Sequence, residues 1–401
     1  MHPIYSGIDV LLAQPPAWQH KKMALVTNHA ATTHRFQSSR EALLQAGFQL
    51  VKLFSPEHGL DTTGADGHLI HDGVDKLTGL PVTSLYGDRL RPSPADLAGI
   101  DLVLFDVPDI GCRFYTYLWT MTHVMEACAA AKIPFVLADR PNPLSGNLLL
   151  AEGPLLDEAH CSSFIGRWKI PVRHSCTLGE LAMYFNASRK MDGLLDVIAC
   201  AHWERTMLHP DYSPSFVPTS PAIPGFETAL LYPGLCFLEA TNISEGRGTA
   251  TPFRVAGAPW IRAEQTAALF NALVSDAAGK AGHPVSVYAR PVAFTPAEGK
   301  YAAQECKGVM LHVSEPRSFR PVSTGWLLIR LIKDLHPGLF EWAPYPTHVN
   351  RSGGHHLDLL AGLPGTEQIF ESGLADFAEE SERHLSAVGW QNIIKPFLLY
   401  P

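Results

Sequence analysis

The stretch "LVKLFSPEHGLDTTGADG", residues 50–67, opens as an alternating apolar run and then breaks into Pro56, Glu57, His58 and a glycine-rich tail. Proline carries no backbone N–H and cannot continue the interior of a strand ladder, so a buried strand ends here. The segment beyond it is either a surface corner with a solvated glutamate or a carboxylate presented at a strand end. The choice rests on the neighbouring strands.

Apolar runs recur through the first part of the chain: "MALVTN" (23–28), "FQLVKLFS" (48–55), "VTSLYG" (82–87), "DLVLFDV" (101–107) and "PFVLAD" (134–139). Each has the length of a strand and no helical period. Between them, "SSREALLQAG" offers an N-cap serine and a closing glycine, and "YTYLWTMTHVMEACAAA" is apolar nearly all round. Strands alternating with helices predict a parallel sheet covered on both faces, an α/β fold.

Ligands bind open parallel sheets beyond the carboxyl ends of the strands. Here every such end is polar. Asn28 and His29 follow the first strand, Glu57 and His58 the second, and Tyr86 and Gly87 the third. Asp106, Asp109 and Arg113 follow the fourth, and Asp139, Arg140 and Asn142 the fifth. A structural corner would not need four neighbours of matching chemistry, so the rim reads as an active site with Glu57 at its centre. A plainer reading exists for "ADRPNPLSG", a proline-rich turn in which Arg140 pairs with an acid and braces the loop. Tyr115 and Tyr117 of "DIGCRFYTYL" have one too, as helix-packing residues.

At 401 residues the chain exceeds a single core, and two units are expected, 1–155 and 156–401. A net charge of −8 without a Lys/Arg block excludes nucleic acid and an anionic membrane surface as the main partner, leaving a small substrate. No apolar run is long enough to span a bilayer, and the first residues do not read as a signal peptide, so a cytoplasmic location is expected. The seven scattered cysteines, never in a C-x-x-C pair, read as reduced thiols. No G-x-G-x-x-G follows the first strand, no G-x-S-x-G elbow is present, and the nineteen histidines show no H-E-x-x-H spacing. Neither a cofactor nor a metal is expected.

Beyond residue 155 a proline-rich segment, 202–234, has little periodicity and reads as a functional or packing loop. In "CFLEATNISEGRGTATPF" a strand is expected to carry Glu239, Asn242, Glu245 and Arg247, the second carboxylate lying between glycine-rich turns. "ECKGVMLHV" and "STGWLLIRLIKDLHP" read as a strand and an amphipathic helix of a smaller α/β or α+β unit.

The chain resembles the exo-β-N-acetylmuramidase family of glycoside hydrolases, the NamZ type. The resemblance runs through "LVTNHA", "LFSPEHGL", "TGLPVTSLYG", "DIGCRFYTYL", "DRPNPLSG", "EGPLL", "RHSCTLGELA", "TALLYPGLCFLEATNISEGRGTATPF", "GAPW" and "CKGVMLHV". It implies a Rossmann-like first domain, a smaller second domain, and a cleft between them that removes N-acetylmuramic acid from the non-reducing ends of peptidoglycan fragments. The residue matching the family's leading catalytic glutamate is Glu57. Without a leader, recycling of imported fragments is the expected role.

Glycoside hydrolysis asks for an acid to protonate the leaving oxygen and a second group as base or nucleophile. Glu57 suits the acid and Glu245 the second carboxylate, with substrate assistance by the 2-acetamido group left open. Asn28, His58, Arg113, Tyr115, Asp139, Arg140, Asn142 and Arg247 are the expected sugar contacts. Arg140 is preferred over Arg113 and Arg247 as reader of the lactyl carboxylate, because a planar guanidinium fork matches it. A non-catalytic muropeptide sensor and an amidase-type hydrolase are the competing classes.

Overall fold

The computed structural model describes residues 2–401. Strands β1 (Met23–Thr27), β2 (Leu50–Ser55), β3 (Gly73–Val74), β4 (Pro81–Ser84), β5 (Leu102–Asp106), β6 (Phe135–Ala138) and β7 (Leu195–Ile198) form one sheet in the order 3-4-2-1-5-6-7. All neighbours are parallel except the short edge pair β3–β4. The chain builds outward from β1 through β2 and then returns to place β5 on its other side, so the direction of winding reverses between β1 and β5. This is a Rossmann-like α/β sheet.

The alternation of side chains assigns each face its own core. Ala24, Val26, Val103, Phe105 and Leu137 point to one side, where helix α3 (Tyr117–Ala131) packs. Met23, Leu25, Leu53, Leu104 and Val136 point to the other, against α1 (Gly7–Ala13) and α2 (Ser39–Gln45). Central strands covered on both faces read as unbroken apolar runs, and the five runs seen in the sequence are β1, β2, β4, β5 and β6. The two edge strands lack that signature. Gly73 and Val74 are exposed, and β7 is only partly buried. Because β7 belongs to this sheet, the first unit reaches past residue 155.

The proline-rich segment, expected as a loop, ends in a helix, α5 (Phe226–Leu235), with α4 (Leu178–Ser188) preceding the segment on the first unit. The smaller sheet is antiparallel: β8 (Val255–Ala258), β9 (Val287–Phe294) and β10 (Cys306–Val313), in the order 8-10-9. It is backed by α6 (Ala263–Ala281) and α7 (Pro321–Leu335). Helices α5 and α7 meet at Gly234 and Gly325, where a Cβ on Gly325 would sit 2.2 Å from the Gly234 carbonyl oxygen. The strand expected in "CFLEATNISEGRGT" is instead a 3₁₀ turn, Cys236–Ala240, continuing α5. Its five residues are all buried, so it carries no period-2 alternation.

The α3 face of the large sheet and the core of the smaller unit are one continuous apolar cluster, from Phe105 and Trp119 through Phe237 to Trp326 and Phe370. The chain's last residues return to the first unit. Tyr400 donates its hydroxyl to Asp139 Oδ2 (2.6 Å), and the Leu399 N–H reaches Glu180 Oε1 (3.0 Å). All seven cysteines are free and buried. Among the described residues no helix is long and apolar enough to cross a membrane.

Candidate active site

Strand β2 delivers its last residues to the carboxyl edge of the sheet, and Pro56 ends the ladder there. Glu57 comes next, only 5% exposed. Its Oε1 accepts the Gly67 N–H (3.2 Å) and its Oε2 the Thr116 hydroxyl (2.5 Å), Thr116 being the residue that precedes α3. The Tyr86 hydroxyl faces the same carboxyl group. Burial raises the pKa of Glu57 and the charge of Asp66 adds to it, outweighing His58 and the hydroxyls of Thr116 and Tyr86.

His58 adopts φ = +65°, a left-handed conformation that non-glycine residues rarely hold, and such strain clusters at working sites. Its Nδ1 lies 2.8 Å from the Gly64 carbonyl, which can only accept, so Nδ1 carries a proton and Nε2 is left for the cavity. Asp66 completes the loop's contribution. A carboxylate oxygen of Glu57, one of Asp66 and a ring nitrogen of His58 lie within 4.8 Å of one another.

The opposite wall comes from the second unit. Tyr345 donates its hydroxyl to Asp66 Oδ2 (2.8 Å), and Arg247 Nη2 lies 3.4 Å from the same oxygen. Arg247 also holds Glu239 (2.7 Å) and sits over the Phe253 ring at 4.8 Å. Glu239 in turn meets His356 Nε2 at 3.2 Å, and His356 stacks on Tyr345. Burial alone would raise the pKa of Glu239, but Arg247 and His356 hold it at about 2. Between the walls is a cavity of about 30 Å³, lined by Glu57, His58, Asp66, Tyr115 and Arg247 among others. It has room for about two water molecules.

The fold thus brings Glu57, His58, Tyr115 and Arg247 to one cavity. Tyr115 is anchored there by its hydroxyl bond to Thr219 (2.7 Å). Asn28 is buried next to it, its Oδ1 accepting the Ala30 N–H at 3.1 Å and its amide group beside the Tyr117 hydroxyl.

Other expected contacts do not line this cavity. Arg113 is fully buried and its guanidinium is spent on the carbonyls of Pro154, Ile170 and Leu360 (2.7, 3.0 and 2.7 Å), with burial lowering its pKa to about 10. Asn142 bonds the Cys176 carbonyl and the Leu144 N–H (2.9 and 2.8 Å). Asp139 accepts from Gly179, Arg140 and Tyr400.

Arg140 grips Asp106 with two nitrogens and the Thr32 carbonyl with one, which is the bracing role of the plainer reading. It lines a separate cavity of about 90 Å³ with Asp9, His34 and Asp109, larger than the Glu57 cavity but without Glu57. Glu245 is buried between Lys300 (3.2 Å) and Arg247 (3.4 Å) and does not line the Glu57 cavity.

Sequence reasoning did not single out Asp66, Thr116 and Tyr345 as site residues. Asp66 lies in the opening stretch itself, but its partners Tyr345 and Arg247 are supplied from far along the chain.

Residues 23–227 match the model of the N-terminal domain of exo-β-N-acetylmuramidase NamZ, and residues 230–400 match that of its C-terminal domain. The peptidoglycan β-N-acetylmuramidase NamZ of Bacillus subtilis (strain 168) is 39% identical over 341 residues, covering 84% of this chain and 80% of that one. A DUF1343 family protein of Bacteroides fragilis NCTC 9343 superposes with a TM-score of 0.86 at 28% identity, each chain covered completely (100%). A second DUF1343 protein of that organism gives 0.75 at 26%, with 99% of each chain covered. With both domain models matched in order along one chain, and the same architecture in solved relatives, this protein belongs to the exo-β-N-acetylmuramidase NamZ family.

Proposed function

We propose that the protein hydrolyses the glycosidic bond that follows a non-reducing terminal N-acetylmuramic acid in peptidoglycan fragments, with Glu57 as the general acid. The observation that carries this reading is a buried, raised-pKa carboxyl group at the end of β2, facing a cavity walled by both units. A general acid must hold its proton near working pH and release it to the leaving oxygen as the bond stretches toward an oxocarbenium ion. Burial supplies the first condition. The Gly67 N–H and Thr116 hydroxyl hold the carboxyl group in place and stabilise the anion it becomes.

The matched family models are those of an exo-β-N-acetylmuramidase, and the Bacillus subtilis relative is named for peptidoglycan, which supports exo action on wall glycan.

The test is turnover of an aryl β-N-acetylmuramide and of the natural muramyl-glucosamine disaccharide. Wild type should cleave both, and Glu57→Gln should lose about 100- to 10,000-fold on the disaccharide. The aryl substrate, with its better leaving group, should lose less. No cleavage of either by wild type overturns the activity, and full activity of a stable Glu57→Gln removes Glu57 from the mechanism.

A further inference from the structure

Building on the muramidase reading, we infer that Asp66 is the second catalytic carboxylate, acting as the nucleophile opposite Glu57. Glu57 and Asp66 are the two carboxylates lining the cavity among the described residues. The nearby acids of the second unit, Glu239 and Glu245, do not line it.

The spacing also favours Asp66. Retaining glycosidases hold their two carboxyl groups roughly 5–5.5 Å apart, whereas inverting enzymes leave about 6.5–9.5 Å for a water molecule. One oxygen of Glu57 and one of Asp66 lie within 4.8 Å of each other, close to the shorter of these spacings.

Both carboxylates ride on one loop, which is braced by its own bonds. Gly67, the neighbour of Asp66, donates its N–H to Glu57 Oε1 at 3.2 Å, and Gly64 and His58 bond one another in both directions (3.0 and 2.8 Å).

In the first step an Asp66 carboxylate oxygen bonds to the anomeric carbon as the bond from that carbon to the leaving oxygen breaks, and the Glu57 proton passes to the leaving oxygen. The muramyl group is then an ester of Asp66. In the second step the Glu57 carboxylate takes a proton from water, the water oxygen bonds to the anomeric carbon, and the ester bond breaks to return the Asp66 carboxylate. Two inversions release the β anomer.

The experiment combines three readouts on the full-length protein. Proton NMR of the first-formed product should show the β anomer with wild type. A slow 5-fluoro muramyl fluoride, quenched by acid and digested, should leave the sugar's mass on the peptide containing Asp66. Asp66→Asn should lower kcat for the aryl muramide by on the order of 10,000-fold and regain turnover with azide, yielding the α-glycosyl azide, while Glu245→Gln should show no azide rescue.

An α-anomer product, a retained product with no protein-bound sugar, an adduct on another peptide, or azide rescue confined to Glu245→Gln each overturns the role of Asp66. Because wild type must turn over for any of these readings, loss of the muramidase activity itself is seen separately.

Discussion

Arg140 and Asp106 form a two-pronged ion pair: Nε lies 2.6 Å from Oδ1 and Nη2 2.9 Å from Oδ2. Asp106 ends β5 and is fully buried, and the same guanidinium reaches the Thr32 carbonyl after β1, so the pair ties together the two strands flanking the reversal of the sheet. Removing one partner of a buried pair strands the other charge and typically costs about 3–5 kcal/mol. Arg140→Ala should therefore lower the denaturation midpoint sharply. Among folded molecules, kcat/KM should change by the same factor for muramyl and glucosaminyl aryl glycosides. A loss confined to the muramyl substrate would make Arg140 a reader of the lactyl carboxylate after all.

Thr116 offers a finer probe of Glu57. Its hydroxyl bond stabilises the Glu57 anion and so opposes the rise that burial causes. Its side chain makes no cap bond within α3, so Thr116→Val should leave the helix intact. Glu57 works as an acid only while protonated, and its pKa sets the alkaline limb of the pH profile. Without the hydroxyl that limb should move up by about one pH unit, the size expected for one hydrogen bond to a charged group. The profile of kcat/KM on the disaccharide measures it, and a limb that moves down would assign the limb to another group.

Asp139 links pH to stability rather than to catalysis. In the fold, burial raises its pKa to about 6, against an ordinary 3.8. The folded chain therefore keeps a proton that the unfolded chain has lost, and that contribution is complete below about pH 4 and disappears as pH rises through 6. Asp139→Asn keeps an oxygen for Gly179 and Arg140 and offers an amide to Tyr400, with no titration. Between pH 4 and pH 7 its unfolding free energy should gain on wild type by on the order of 3 kcal/mol. Parallel urea-melt stabilities across that range would count against this.

The central strands and the place of Glu57 at the sheet's rim could be read from the sequence for one reason. Burial on both faces turns a parallel strand into an apolar run, and the residue after that run marks the rim. Edge strands carry no such mark: Gly73–Val74 is two exposed residues long, and Leu195–Ile198 is half-covered. Rim chemistry alone did not show which of these residues line the Glu57 cavity. Arg113, Asp139, Arg140 and Asn142 have the side chains of a binding site, but their partners, such as Leu360 and Tyr400, are brought to them only by the tertiary fold. Asp66 shows the converse, a residue in the loop first noticed whose significance depends on Tyr345 and Arg247.

The bond between Tyr400 and Asp139 also bears on how the chain is made. The two residues are 261 positions apart, so a nascent chain that has completed its large sheet still lacks the hydroxyl that covers this aspartate. Domains generally fold as units, the N-terminal one first during synthesis. Here the early unit waits on residues near 400 both for Asp139 and for the N–H that Leu399 gives to Glu180. A message cut short, or a protease that trims this tail, would expose a fault in the first-made half of the molecule, far in sequence from the break.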